Sequence, residues 1–199
     1  MSAQPTSPLT PEAYLEIERA AESKSEYYNG RMYAMAGTTF RHGLIVSNLS
    51  RGLGNSLAGG PCSVVTSDLR VLVSASGLYT YPDVVVVCGE PRLTDVWMDT
   101  LLNPALLIEV LSPSTEARDR GFKSSQYRTI DTLREYALVS QTESRVEVYS
   151  RQPNGRWILS EATGLDVICQ FESINCRMAL SEIYAKVNFT EDPGSTPTP

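Results

Sequence analysis

Four consecutive valines, Val84 to Val87, follow directly on Pro82-Asp83. An unbroken β-branched run predicts a strand buried on both faces, since a strand with one wet face alternates polar and apolar residues. We place this strand at Tyr81 to Cys88. A second run of the same character, Ala105 to Leu111, lies beyond a loop from Gly89 to Asn103. Each run carries one acid: Asp83 opens the first and Glu109 sits inside the second. Carboxylates are almost never fully buried unless they are paired or bound to a cation. The chain must therefore cover two strands on both faces and still satisfy two acids.

The remaining segments supply the covering layers. Thr10-Pro11-Glu12 combines an N-cap, a proline at the first helical position and an acid in the first turn, predicting a helix to about Ala21. Asn29-Gly30 is a hairpin signal between Glu26-Tyr27-Tyr28 and Arg31 to Met35. Ile45, Leu49, Leu53 and Leu57 recur at four-residue spacing, so His42 to Leu57 reads as an amphipathic helix. Strands are expected at Cys62 to Thr66, Leu69 to Val73, Glu135 to Val139, Val146 to Ser150 and Trp157 to Ser160, with a turn at Asn154-Gly155. Ser112-Pro113-Ser114-Thr115 stops the Glu109 strand and caps a helix to about Thr129. A terminal helix is expected near Leu180 to Val187. The sum is an α/β (α+β) domain, a mixed central β-sheet flanked by helices. We assign residues 9–189 to it, 1–8 to a flexible arm and 190–199 to a disordered tail.

Composition narrows the chemistry. One histidine, His42, in 199 residues excludes a histidine-rich metal site, so any metal would be a hard cation on carboxylate oxygen. Cys62, Cys88, Cys169 and Cys176 form no Cys-x-x-Cys pair and read as reduced, small core residues. No apolar run is long enough to span a membrane. Met1 to Thr10 carries neither a basic nor an apolar stretch, so we expect no secretion signal and a cytoplasmic protein. The net charge of −6 counts against strong non-specific nucleic-acid binding but allows a local basic face.

Asp83 and Glu109 on neighbouring strands would point into one cleft and share a divalent cation. Either acid alone is better explained by hydrogen bonds to a loop or helix end; the two together on adjacent buried strands favour the shared cation. Asp119, Lys123 and Tyr127 recur at i, i+4 and i+8 and share a helix face. A surface ion pair of Asp119 with Lys123 is the plain alternative. Asp68 is a further candidate for the acid cluster, with a turn role equally open. His42 reads as a cap or packing residue.

The order of these segments resembles a known family. Glu26-Tyr27-Tyr28-Asn29-Gly30, His42, Asn48-Leu49 and Pro82-Asp83-Val84-Val85-Val86 come first. Leu107-Ile108-Glu109-Val110-Leu111-Ser112-Pro113-Ser114-Thr115 and Asp119-Arg120-Gly121-Phe122-Lys123 follow. The pattern is similar to the Uma-two family of inferred bacterial endonucleases, within the PD-(D/E)XK superfamily, from about Leu9 to Val187. The resemblance implies a restriction-endonuclease-like core and Mg²⁺- or Mn²⁺-dependent cleavage of DNA. It assigns Asp83 and Glu109 as metal ligands, Glu26 as an additional upstream carboxylate and Lys123 as the catalytic ammonium; Tyr127, one turn away on the same face, would support Lys123. One departure stands out: the superfamily places lysine two residues after the second acid, where this chain has Leu111.

Weak DNA binding is expected through a local basic rim of Arg118, Arg120 and Lys123, joined by Lys24, Arg31 and Arg41. No membrane partner is expected, and a homo-oligomer, in the first instance a dimer, is. Two other readings remain. One is an inactive nuclease fold retained for binding nucleic acid or protein. The other is a glycosidase using Asp83 and Glu109 as an acid/base pair.

Overall fold

The computed structural model describes residues 8–35 and 37–190. Apart from Pro8 and Thr190, the expected arm and tail lie outside the described residues. Helix α1 (Pro11–Ala20) starts at Thr10, whose Oγ1 accepts the Ala13 N–H at 3.2 Å. Strands β1 (Ser25–Tyr28) and β2 (Arg31–Ala34) form the hairpin expected around Asn29-Gly30. Both turn residues have positive φ, 47° and 78°, as a two-residue hairpin turn requires. A Cβ at Gly30 would also stand 2.5 Å from Pro8 Cβ. Helix α2 (Phe40–Leu57) buries Ile45, Leu49, Leu53 and Leu57, the stripe that defined it.

The remaining strands are β3 (Cys62–Thr66), β4 (Arg70–Val73), β5 (Leu78–Thr80), β6 (Val84–Cys88), β7 (Thr100–Leu101), β8 (Leu106–Leu111), β9 (Glu135–Ser140), β10 (Arg145–Arg151), β11 (Trp157–Thr163), β12 (Ile168–Phe171) and β13 (Cys176–Ala179). A six-stranded sheet runs β11-β10-β9-β8-β6-β3. It is mixed, since β8 is parallel to β9 and antiparallel to β6. Val84 and Val86 face a core built on α2 and the β12–β13 hairpin, with Phe171 and Met178. Val85 and Val87 face the other core, with Val71, Val73, Leu78, Leu101, Tyr127 and Leu133. The four-valine strand is therefore buried on both sides.

A second layer adds to the expected mixed central sheet. A five-stranded sheet, β2-β1-β5-β4-β7, packs over the Val85 face. The strand expected from Tyr81 begins at Val84, and Tyr81-Pro82-Asp83 is the link by which the chain leaves the small sheet for the large one. Proline has no N–H for a ladder, which favours the break here. The small sheet escapes sequence reading because β5 and β7 are three and two residues long.

Three further expectations change. The helix after Ser112 is segmented into α3 (Glu116–Arg118), a π-helical turn (Asp119–Lys123) and α4 (Ser124–Tyr127). The terminal helix shortens to α5 (Leu180–Ile183), and β12–β13 precede it. Cys62 and Cys88 are joined by a disulfide rather than being separate thiols; the antiparallel register of β3 and β6 sets them opposite one another, although 26 positions separate them in sequence. Cys169 and Cys176 are free and buried. Among the described residues no helix is long and apolar enough to cross a membrane.

Candidate active site

Strands β6 and β8 pair with Val84 opposite Ile108, so the same register places Asp83 opposite Glu109. Side chains directly opposite on an antiparallel pair start about 5 Å apart at Cβ. Asp83 lies one step outside the ladder and is fixed at both oxygens. Its Oδ2 accepts the Val110 backbone N–H at 2.7 Å, and its Oδ1 lies 3.0 Å from His42 Nε2. His42 reaches it from the first turn of α2, where Thr39 caps the helix.

Glu109 belongs to the face of β8 that meets the small sheet. Its Oε1 accepts the Tyr127 hydroxyl at 2.7 Å and Lys123 Nζ at 3.1 Å. Lys123 Nζ also stands 3.1 Å from Glu26 Oε1 and 3.2 Å from Asp119 Oδ1. The Asp119 contact is ionic only, because Asp119 Oδ1 has no hydrogen-bond partner. Glu26 arrives from β1, where the Thr80 hydroxyl donates to its Oε1 at 2.6 Å and Arg118 Nη2 to its Oε2 at 2.9 Å. Arg118 is in turn held over the rings of Tyr33 and Phe122.

The loop after β8 makes this convergence possible. Ser112 Oγ accepts the Thr115 N–H at 3.2 Å and Ser112 O accepts the Glu116 N–H at 2.9 Å, turning the chain back across the strand end. The π turn then follows, closed by the Ser124 N–H on Asp119 O. Such wide turns re-aim side chains and gather at functional sites. Here Asp119, Lys123 and Tyr127 all end up buried.

Acids outnumber bases in this cluster, and the protonation equilibria reflect it. Burial raises Glu109 to a pKa of about 8, with Asp119 and Asp83 adding to the rise and Lys123 and Tyr127 opposing it. Asp119 is likewise raised, by burial that Lys123 and Thr115 only partly offset. Burial also pushes Glu26 upward, but Lys123, Thr80 and Arg118 outweigh it and hold the carboxyl below its ordinary value. Burial would lower Lys123; Glu109, Glu26 and Asp119 together raise it well above its ordinary value, so it is an ammonium at neutral pH.

Of the residues singled out in the sequence, Glu26, Glu109, Asp119, Lys123 and Tyr127 meet directly, and Asp83 joins them through Val110. Asp68 does not. Its side chain is 83% exposed and pairs with Lys24 on the surface. The expected basic rim is also altered, because Lys24, Arg118 and Arg120 are matched by acids. Arg118 is on Glu26, Arg120 is on Glu147 and Glu116, and Lys123 is buried. Arg41 Nη1 donates to the Gln141 carbonyl at 3.3 Å. Sequence reading passed over Thr80 and treated His42 as a cap; nothing local in either residue's sequence signals a partner 54 or 41 positions away.

Among the described residues no three His, Cys, Asp or Glu side chains form a ready-made ion cage. Mg²⁺ seldom uses one. It keeps several waters and binds through one or two carboxylates plus substrate phosphate. Asp83 and Glu109 fit that requirement, and a dication beside Glu109 would offset the burial that now favours its neutral form.

The mixed sheet with its flanking helices is a fold shared with a protein of known structure. The crystal structure of a "putative nuclease" of the DUF820 group from Anabaena variabilis superposes with a TM-score of 0.72 over 89% of this chain and 98% of the other, at 18% identity. The chain belongs to the Uma2 family, described as "putative restriction endonuclease", whose model matches residues 11–180. Two uncharacterized proteins of Synechocystis sp. are each 37% identical to it, over 91% and 82% of this chain and 94% and 92% of theirs.

Proposed function

We propose that this chain is a divalent-metal-dependent endonuclease that hydrolyses DNA phosphodiester bonds. The observation that carries the reading is the placement of Lys123, whose ammonium bridges Glu109 and Glu26 beside the strand end where Asp83 and Glu109 oppose each other. Asp83 and Glu109 would hold hydrated Mg²⁺ or Mn²⁺. When bound, the ion would polarise the scissile phosphate and acidify water.

The protein's own groups do the rest. The Val110 N–H and His42 fix the Asp83 carboxylate, so its geometry is set before substrate arrives. Tyr127 and Lys123 do the same for Glu109. Lys123, kept charged by three acids, stabilises negative charge developing on the phosphate oxygens, an effect strengthened by burial. Glu26 positions Lys123 through an oxygen that Thr80 also holds. Lys123 thereby stands in for the ammonium that the superfamily pattern would place at Leu111. Homodimeric assembly and a cytoplasmic location belong to the same reading.

A second reading keeps the fold as a binding module without hydrolysis. Leu111 favours it, as does the pairing of Arg118 and Arg120 with acids, which leaves less positive charge for phosphate. The test is incubation of supercoiled, linear and single-stranded DNA with the parent chain in Mg²⁺ or Mn²⁺, beside Glu109→Gln. Cleavage by the parent alone supports the endonuclease; no cleavage of any form by the parent supports the module.

A further inference from the structure

Val96, Trp97 and Met98 form an apolar tip on the surface, 93%, 67% and 64% exposed. Three such residues in succession are unusual on a monomer's surface and mark a contact. The tip is not a loose loop. Its flanks are bridged at Leu93 and Leu101, with Thr94 N–H donating to Thr100 O and Leu102 N–H to Arg92 O. The turn is closed by Met98 N–H on Asp95 O and Trp97 N–H on Asp95 Oδ1, and Met98 takes a left-handed φ of 51°.

The base of the tip is tied to the candidate site. Arg19 bonds Asp95 and Asp99, and Arg70 bonds Asp99 at 2.5 Å. Arg70 Nη1 donates to the Tyr81 hydroxyl at 3.0 Å, two residues before Asp83, and Tyr81 donates to Glu18, which accepts the N–H of Ser25 beside Glu26. Because β5 is antiparallel to β4 and β7 is parallel to it, the tip leaves the small sheet at the end where Tyr81-Pro82-Asp83 does. The registers Tyr27–Tyr79, Val71–Thr80 and Val71–Leu101 separate Glu26 from Leu101 by three strand spacings, about 15 Å. That puts the base of the tip within half of a B-form turn of about 34 Å, with Val96 to Met98 reaching out beyond it.

We propose that Val96-Trp97-Met98 is a wedge that enters duplex DNA at a base step a few pairs from the bond to be cut; the inference rests on the DNA-cleaving reading above. The acids at its base are matched by Arg19 and Arg70, and the Arg19 guanidinium lies over one face of the Trp97 ring, 5.2 Å from its centroid, which leaves the other face and Val96 and Met98 to meet a partner. Arg118 and Arg120 beside the site are engaged by Glu26, Glu147 and Glu116, and the whole chain carries −6. Phosphate contacts are therefore few, and stacking or wedging supplies affinity that needs no cations. A convex tip suits a duplex step; single strands are instead gripped by grooves that follow the backbone.

Trp97 and Trp157 are the two tryptophans, so a Trp157→Phe chain makes Trp97 the single fluorescent reporter. It would be titrated with a 20-base-pair duplex in EDTA, beside anisotropy of the labelled duplex and sedimentation without DNA. We expect Trp97 emission to be quenched in step with binding. Trp97→Ala should raise Kd and KM about tenfold or more, the scale of one lost base stack, with kcat at saturating duplex within twofold of the parent. The wedge is overturned by silent Trp97 emission at saturation, by parent-like affinity of Trp97→Ala, by a response confined to single strands, or by a variant that loses only self-association. Cleavage by the parent with Trp97 silent would keep the nuclease reading and remove the wedge. Binding with quenching but no cleavage in Mg²⁺ or Mn²⁺ would do the reverse.

Discussion

Val110 donates its backbone N–H to Asp83 Oδ2 at 2.7 Å, across the junction of β6 and β8. The acceptor is one of the two candidate metal-binding acids, and the donor is the residue after the other. A single hydrogen bond thus sets the spacing of Asp83 and Glu109, while His42 takes the remaining oxygen of Asp83. The acids are indexed to the strand ladder rather than to a mobile loop.

Metal binding should depend on both acids. Mn²⁺ or Mg²⁺ is expected to raise the melting temperature of the parent by mass action. Asp83→Asn and Glu109→Gln should each abolish that rise and lower DNA cleavage by about 10²-fold or more. A double variant that still answers Mn²⁺ as the parent does would place the ion elsewhere.

Stability without metal should fall as pH rises. Glu109 is at about 8 in the folded chain against an ordinary 4.5, so between those values the folded state binds more protons than the unfolded state. Its contribution is therefore favourable below about 4.5 and lost progressively toward 8. Asp119 acts in the same direction and Glu26 in the opposite one, its depressed carboxyl adding stability above its ordinary value. Urea midpoints of Glu109→Gln and parent at pH 5 and pH 8, in EDTA, isolate the Glu109 part. The variant should gain on the parent at pH 8. An unchanged difference between the two proteins would refute the shift.

Lys123→Met should affect both activity and folding. It leaves Glu26, Glu109 and Asp119 without their shared cation, and breaking a buried ion pair costs about 3–5 kcal/mol. Calorimetry should show a melting temperature lower by roughly 10 °C at pH 8, with a smaller loss at pH 5, where protonation relieves the acids. Cleavage should drop about 10²-fold. Parent-like melting at both pH values would mean that Lys123 does not hold the acids together.

DNA affinity should respond weakly to salt. With Arg118 and Arg120 held by Glu26 and Glu147, we expect only about two or three phosphate contacts and a log–log slope shallower than about −3. Arg120→Ala should then change the slope little, while loosening the π turn that Arg120 ties to β10 through two bonds to Glu147. A slope near −6, flattened by Arg120→Ala, would restore the basic rim.

The local elements were legible because their signals are local. Thr10-Pro11 begins α1, Asn29-Gly30 makes its hairpin, the four-residue apolar spacing makes α2, and the valine run makes a strand that needs cover on both faces. The acids stood out for a related reason: a carboxylate inside an apolar run has few stable fates. The family motif, which set Lys123 apart from the other lysine and arginine residues, was also written in the sequence. Tertiary structure alone decided which partners met. The antiparallel register put Cys62 against Cys88, and it put Asp83 against Val110 and Glu109. The π turn aimed Lys123 at Glu26, 97 positions away, and the small sheet delivered Thr80 to the same carboxylate. It also matched Arg118 and Arg120 of the expected rim with Glu26 and Glu147 and left Asp68 outside. Such contacts depend on the relative placement of elements far apart in the chain, and no short-range pattern of residues encodes that placement.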